Sequence, residues 1–279
     1  MTTTTSNLTP RSTPSPRVVT FGVVTPTLNA DRFLEGTLRS IWAQPSERIL
    51  VDHVIVDGGS TDRTVEIAER YPSRVVVATD DTGMYDAINR GLNMVRGEII
   101  GYLNADYELS PGALDVVAGA FLDHPEAQWL MGRRDYIDAE GTPFATMQPV
   151  GFTLREYLGL GWSCVPQETV WMRRSFWERV GPYDVTFRNT GDYDMFARAR
   201  RAARPLILHD TIGRFRLHDA QLSRRPEVMQ RESQRVREKN GSIDVLGWVL
   251  GRFLSARLNF RNPRWLVAKK TGKIRFTQD

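Results

Sequence analysis

Apolar positions along this chain follow two rhythms that take turns. Short β-branched or apolar runs stand at Val18–Thr25, Val51–Val56, Val75–Val77 and Glu98–Leu103. Between them, apolar residues return every three or four positions, the spacing of one helix face. Such stretches cover Asp31–Trp42, with Phe33, Leu34, Leu38 and Ile41 in register, then Thr61–Arg70. They continue at Gly83–Arg96, with Met84, Ala87, Ile88, Leu92 and Val95, and at Pro111–Leu122. Four alternations of strand and helix predict a parallel sheet covered by helices.

Polar residues punctuate three of the four strand ends, after Val24, Val56 and Leu103. In a parallel sheet those ends share one edge, and open α/β sheets bind ligands there. The clearest case is V-D-H-V-I-V-D-G-G-S-T-D, 51–62. Its Gly58-Gly59 pair cannot continue the strand, and Ser60 or Thr61 is placed to cap the next helix. Asp57 is thereby expected at the end of a buried strand, either as a ligand contact or as the structural aspartate of a well-made turn.

The second half is less regular. Trp129–Ile137 and Pro143–Gln148 read as a hairpin, Val165–Met172 and Leu206–Leu217 as strands, and Asp192–Ala202 as a helix. Beyond Ser223 a charged helix, Arg224–Lys239, precedes Val245–Phe260, which is rich in Leu, Val, Trp and Phe. Six Lys and Arg follow, from Arg261 to Arg275. This basic amphipathic end suits either an anionic membrane surface or packing on the domain with a solvated basic rim.

Composition narrows the classes. Net charge is +4, too mild for a nucleic-acid signature by itself. A single cysteine, Cys164, excludes an internal disulfide, and with four scattered histidines it disfavours structural zinc. Met1–Arg17 is rich in Thr, Ser and Pro, lacks the apolar core of a signal peptide, and is expected to be disordered. No stretch approaches the apolar length of a spanning helix. A cytoplasmic protein is expected, at most peripheral at the inner face of the plasma membrane.

Four motifs in order, V-V-T-P-T-L-N (23–29), V-D-G-G-S-T-D (56–62), D-T-G-M-Y-D-A-I-N-R-G (81–91) and Y-L-N-A-D (102–106), resemble family 2 glycosyltransferases of the GT-A fold. Downstream, the stretches 166–184, 189–194 and 215–223 are similar to bacterial polysaccharide and glycolipid members. The resemblance implies a Rossmann-like, mostly parallel sheet flanked by helices, with a C-terminal helical appendage. It divides the chain into a tail (1–17), a nucleotide-sugar half (18–110), an acceptor half (111–223) and a basic helical extension (224–279). It implies inverting transfer of a sugar from a nucleoside diphosphate, UDP or dTDP favoured, to a glycan or lipid-linked hydroxyl. Thr25, Pro26, Asn29, Asp57, Asp81, Asp86, Asn89, Asn104 and Asp106 would then line the donor site. Gln167 and Glu168 would shape the acceptor or donor-sugar pocket, and Asp192 would be the general base, with Asp194 its near neighbour.

One position departs from the pattern. Family members commonly read Asn-x-Asp-Asp, the last aspartate on a divalent metal; here Tyr107 stands in its place. Mg²⁺ or Mn²⁺ would fall to Asp106 or Glu108, with His218 as a further ligand, or Arg and Lys would neutralise the leaving diphosphate instead. Tyr107 also leaves open a glycosyltransferase-like scaffold without catalysis. A nucleotidyltransferase fits poorly, because Pro26-Thr27-Leu28-Asn29 has neither glycine nor base to hold a triphosphate. No G-x-G-x-x-G follows the first strand, which removes a dinucleotide oxidoreductase.

Overall fold

The computed structural model describes residues 17–44, 46–80, 82–219, 221, 226–241 and 243–274. The tail (1–16) and Asp81, expected at the donor site, lie outside the described residues. The strands are β1 (Val19–Thr27), β2 (Ile49–Asp57), β3 (Arg74–Val77), β4 (Ile99–Tyr102), β5 (Glu108–Leu109), β6 (Trp129–Ile137), β7 (Pro143–Met147), β8 (Trp171–Arg173) and β9 (Leu206–Arg216). They form one sheet in the order β3-β2-β1-β4-β8-β6-β9-β5, with β7 on β6. β2 and β4 flank β1 in parallel, and β3 is parallel to β2. β8 runs antiparallel to both β4 and β6, so β6 points the same way as β4. β9 is parallel to β6. The C-terminal ends of β1, β2, β4, β6 and β9 therefore meet at one edge.

The helices are α1 (Leu34–Trp42), α2 (Thr64–Glu69), α3 (Met84–Met94), α4 (Ala113–Asp123), α5 (Leu154–Leu160), α6 (Arg174–Val180), α7 (Gly191–Ala202), α8 (Pro226–Asn240), α9 (Val245–Arg261) and α10 (Pro263–Lys270). Side chains alternate across the sheet, as the pleat requires. Ile99, Leu130 and Trp171 enter one core; their neighbours Ile100, Trp129, Met131 and Met172 enter the other. A smaller cluster of Leu34, Leu38, Ile55 and Ile67 seats α1 and α2.

Two local expectations change. Helix α2 starts at Thr64 without a side-chain cap from Ser60 or Thr61. Ser60 instead donates to Asp57 at 2.6 Å, while Asp62 accepts the Thr64 N–H at 3.0 Å. The stretch Val165–Met172 is not one strand but a 3-10 turn, Gln167–Thr169, followed by short β8. Each polar residue of that turn has a tertiary partner: Gln167 reaches the Tyr102 carbonyl, Glu168 pairs with Arg134, and Thr169 bonds Gly132.

The C-terminal helices are built into the domain. Asn262, between α9 and α10, bonds both backbone groups of Gln148 beside β7. Trp265 of α10 is buried and donates to the Tyr136 hydroxyl of β6 at 3.2 Å. No helix among the described residues is long and apolar enough to cross a membrane.

Candidate active site

A cavity of about 830 Å³ opens along the shared strand edge. The loop after β1 supplies Pro26 and Asn29, and the start of α3 supplies Tyr85 and Asp86. Asn104 and Asp106 follow β4, while Arg134 and Tyr136 face in from β6. Gln167, Asp192 and His218 complete the polar wall. The fold thus brings eight of the expected residues to one cavity: Pro26, Asn29, Asp86, Asn104, Asp106, Gln167, Asp192 and His218.

Four others stand behind it. Thr25 is buried and turned to His53, whose ring it meets at 3.0 Å. Burial lowers His53 to about 3, so that neutral imidazole links Thr25 to Ser73. Asp57 is fully buried and accepts four hydrogen bonds, from the Thr27 and Ser60 hydroxyls and the Gly59 and Ser60 amides. A carboxylate offers about four acceptor sites, so Asp57 in this conformation organises the β2–α2 turn rather than presenting an open acceptor to the cavity. Gly59, at φ +90, permits that turn. Asn89 bonds both backbone groups of Tyr183 at 2.8 and 2.9 Å, tying α3 to the segment before α7. Glu168 is buried against Arg134 at 2.6 Å, and Arg134, not Glu168, reaches the cavity.

Asp192 and Asp194 are two residues apart and do different things. About 200° of rotation separates them on a helix. Asp194 is fully buried, bonded to Arg198 at 2.9 Å and to Asn240 and Lys239 of α8 at 2.9 and 3.0 Å. Asp192 faces the cavity, and burial pushes its carboxyl from 3.8 up to about 6. The Tyr85 hydroxyl accepts the Asp192 amide at 3.2 Å and lies 3.5 Å from its carboxylate. Tyr85 approaches so closely that a Cβ on Gly191 would come within 2.7 Å of its ring.

A second carboxylate fixes this corner from outside the helix. Glu232 of α8 is buried and accepts the amides of Arg188, Asn189 and Thr190 at 2.8, 2.9 and 3.1 Å. It therefore shapes the loop that launches α7. The sequence places Glu232 in a charged helix and offers no signal of this task. Tyr85 was legible only as a neighbour of Asp86, and Arg134 only as one position of a strand.

Asp106 lies 3.0 Å from His218, giving one carboxylate and one imidazole that could share a cation. No cluster of three or more His, Cys, Asp or Glu suited to a metal occurs among the described residues. Glu108 is not available for that task, because it pairs with Arg214 at 2.6 Å and with Arg216. Tyr107 is buried against Phe215, ring centroids 4.5 Å apart, and burial raises its phenol well above the ordinary range. Buried polar atoms on the wall, Asn104 Oδ1, Gln167 Oε1 and Arg134 Nε, have no hydrogen-bond partner among the described residues. Unpaired groups of this kind are costly without a ligand or solvent to meet them.

The model of glycosyl transferase family 2 matches residues 22–181. The chain belongs to that family. Among curated relatives, the PGL/p-HBAD biosynthesis glycosyltransferases of Mycobacterium tuberculosis and Mycobacterium bovis are 30% identical over 179 residues, 62% of this chain and 67% of theirs. An uncharacterized glycosyltransferase of M. tuberculosis is 27% identical over 206 residues, 70% of this chain and 74% of its own. Solved structures share the GT-A fold. S. aureus TarS bound to UDP-GlcNAc gives a TM-score of 0.65 at 20% identity, covering 84% of this chain and 71% of that one. A mannosyltransferase from Pyrobaculum calidifontis, in complex with GDP-Man and Mn²⁺, gives 0.59 at 19%, covering 91% and 75%.

Proposed function

We propose that this family 2 glycosyltransferase is an inverting enzyme that moves a sugar from a nucleoside diphosphate to a hydroxyl of a glycan or lipid-linked acceptor, with Asp192 as general base. The observation that carries the reading is the Asp192 carboxylate, held near 6 in the same cavity as the loops after β1 and β4. A base must be ionised when it takes the acceptor proton and basic enough to hold it, and this value suits both near neutrality. The backbone amide of Tyr193 bonds Asp192 Oδ1 at 2.8 Å and orients the carboxylate.

The donor is assigned to the part of the cavity bounded by Pro26, Asn29, Asp86, Asn104 and Asp106. UDP is favoured as the nucleotide, in keeping with the UDP-GlcNAc held by TarS; in this conformation Asp57, its acceptor sites filled by the turn, does not contribute to that choice. Asn104 and Gln167, which line this part of the cavity, would meet sugar or ribose hydroxyls. Asp106 and His218 would hold a divalent ion. That ion would supply charge neutralisation to the leaving diphosphate.

The test is calorimetric titration of UDP, dTDP and GDP with Mn²⁺ and with chelator, on the wild type and Asp192→Asn. Nucleotide affinity should be the same in both proteins, while transfer is abolished in the variant. Retained transfer would remove Asp192 as base. Binding without metal would take the ion out of the reading, and no binding by folded protein would restore the scaffold alternative.

A further inference from the structure

Helix α9 has two apolar faces, and only one of them is covered. Gly247, Gly251, Leu254 and Leu258 are buried. Gly251 lies backbone to backbone with Gly159 of α5, where a Cβ would strike the chain. Around the helix at about 100° per residue, Val245, Val249, Phe253, Ala256 and Phe260 return on the other side. Of these, Val245 is 81% exposed, Phe253 62% and Phe260 91%. Trp248 extends the stripe, 59% exposed, and Val267 of α10 continues it at 60%. An apolar helix face is ordinarily covered, and among the described residues nothing covers this stripe.

The charge around this stripe says what the partner is. Between Val245 and Ile274 the chain has no Asp or Glu, and Arg252, Arg261, Arg264 and Lys270 are exposed. Arg257 is the one cation of α9 with an acidic partner among the described residues, Glu156 at 2.8 Å. A second copy meeting this face about a two-fold axis would oppose arginine to arginine. An anionic bilayer offers acyl chains to the aromatics and phosphates to the arginines. At a rise of about 1.5 Å per residue, α9 is too short and too basic to span, and suits lying in the interface plane.

We propose that the outward face of α9 and α10 docks this protein on the surface of an anionic lipid bilayer. The earlier expectation for residues 224–279 is thereby divided. Helix α8 serves the site through Glu232, while α9 and α10 carry the surface. Helix α10 links the two, because Trp265 and Lys269 line the cavity and Val267 and Lys270 face outward. Docking would hold the cavity beside the bilayer, within reach of an acceptor carried on lipid. That use rests on the transferase reading; the docking does not.

Flotation of the full chain with vesicles tests it, using phosphatidylcholine alone against equal parts phosphatidylcholine and phosphatidylglycerol. Binding should require the anionic lipid and weaken with salt. Phe253→Ser combined with Phe260→Ser should lower partitioning about a hundredfold, roughly tenfold for each exposed aromatic removed. Arg252→Glu combined with Arg264→Glu should also release the protein, and both variants should keep the wild-type circular dichroism. No binding by folded wild type, or equal binding by the phenylalanine variant, overturns the proposal. So does self-association through Phe253 and Phe260 without vesicle binding, which would name a second copy as the partner. Vesicle binding by a protein that binds no nucleotide would uphold docking and remove the transferase reading.

Discussion

Replacing Asp192 with asparagine should make the protein more stable, in the same variant that stops the reaction. Burial holds this carboxyl at about 6 rather than 3.8. The gap corresponds to about 3 kcal/mol against the ionised folded state, fully developed above the higher value. The sign follows from proton binding. Below 3.8 both folded and unfolded chains keep the proton, and no penalty exists. Between 3.8 and 6 the unfolded chain ionises first and gains on the folded one. Above 6 the folded protein carries the whole cost. Asparagine has nearly the same shape, and its Oδ1 can accept the Tyr193 amide now bonded at 2.8 Å. The variant should therefore melt about 5–10 °C higher near pH 7.5. The two melting curves should converge as the pH falls toward about 4. Scanning calorimetry across that range, with urea titrations at each end, measures both features and needs no substrate. A variant that melts at or below the wild type near neutrality would refute the burial of this charge. A difference that persists in acid would refute its assignment to ionisation.

Two further predictions concern α8. Glu232→Gln sets an amide NH₂ against the backbone N–H donors of residues 188–190. Transfer should fall about ten- to a hundredfold through loosened placement of Asp192, with nucleotide affinity unchanged; equal loss of both would reduce Glu232 to general stability. Asp194→Ala removes the buried acceptor shared by Arg198, Asn240 and Lys239, while Arg198 keeps the carbonyls of residues 180–182 and Lys239 keeps Asp184. It should lower unfolding free energy by about 2 kcal/mol in urea, and an unchanged midpoint would show that the network contributes nothing.

Much of the first half is readable from sequence because its signals are local. The strands at 51–56 and 98–103 need only their β-branched runs, and α3 needs only Met84, Ala87, Ile88 and Leu92 in register. Parallel alternation then predicts which strand ends share an edge, and so predicts where the cavity lies. The short elements α5, α6 and β5 give no such rhythm. Gln167–Thr169 reads as part of a strand until its polar side chains are seen to have partners on β4 and β6.

By itself the sequence determines periodicity, turn chemistry and the order of the motifs, since these depend on residues near one another in the chain. The resemblance singles out Asp192, but periodicity cannot say which of two aspartates on α7 meets the cavity. That is decided by Tyr85 on one side and by Asn240 and Lys239 on the other, 107, 46 and 45 positions away from the aspartates they meet. Nor can it say that Asp57 turns inward to four donors, or that Glu232 holds the loop before Asp192. Local sequence sets which groups a segment carries. Direction, burial and proton affinity come from what packs against it, and those contacts exist only once distant segments have met.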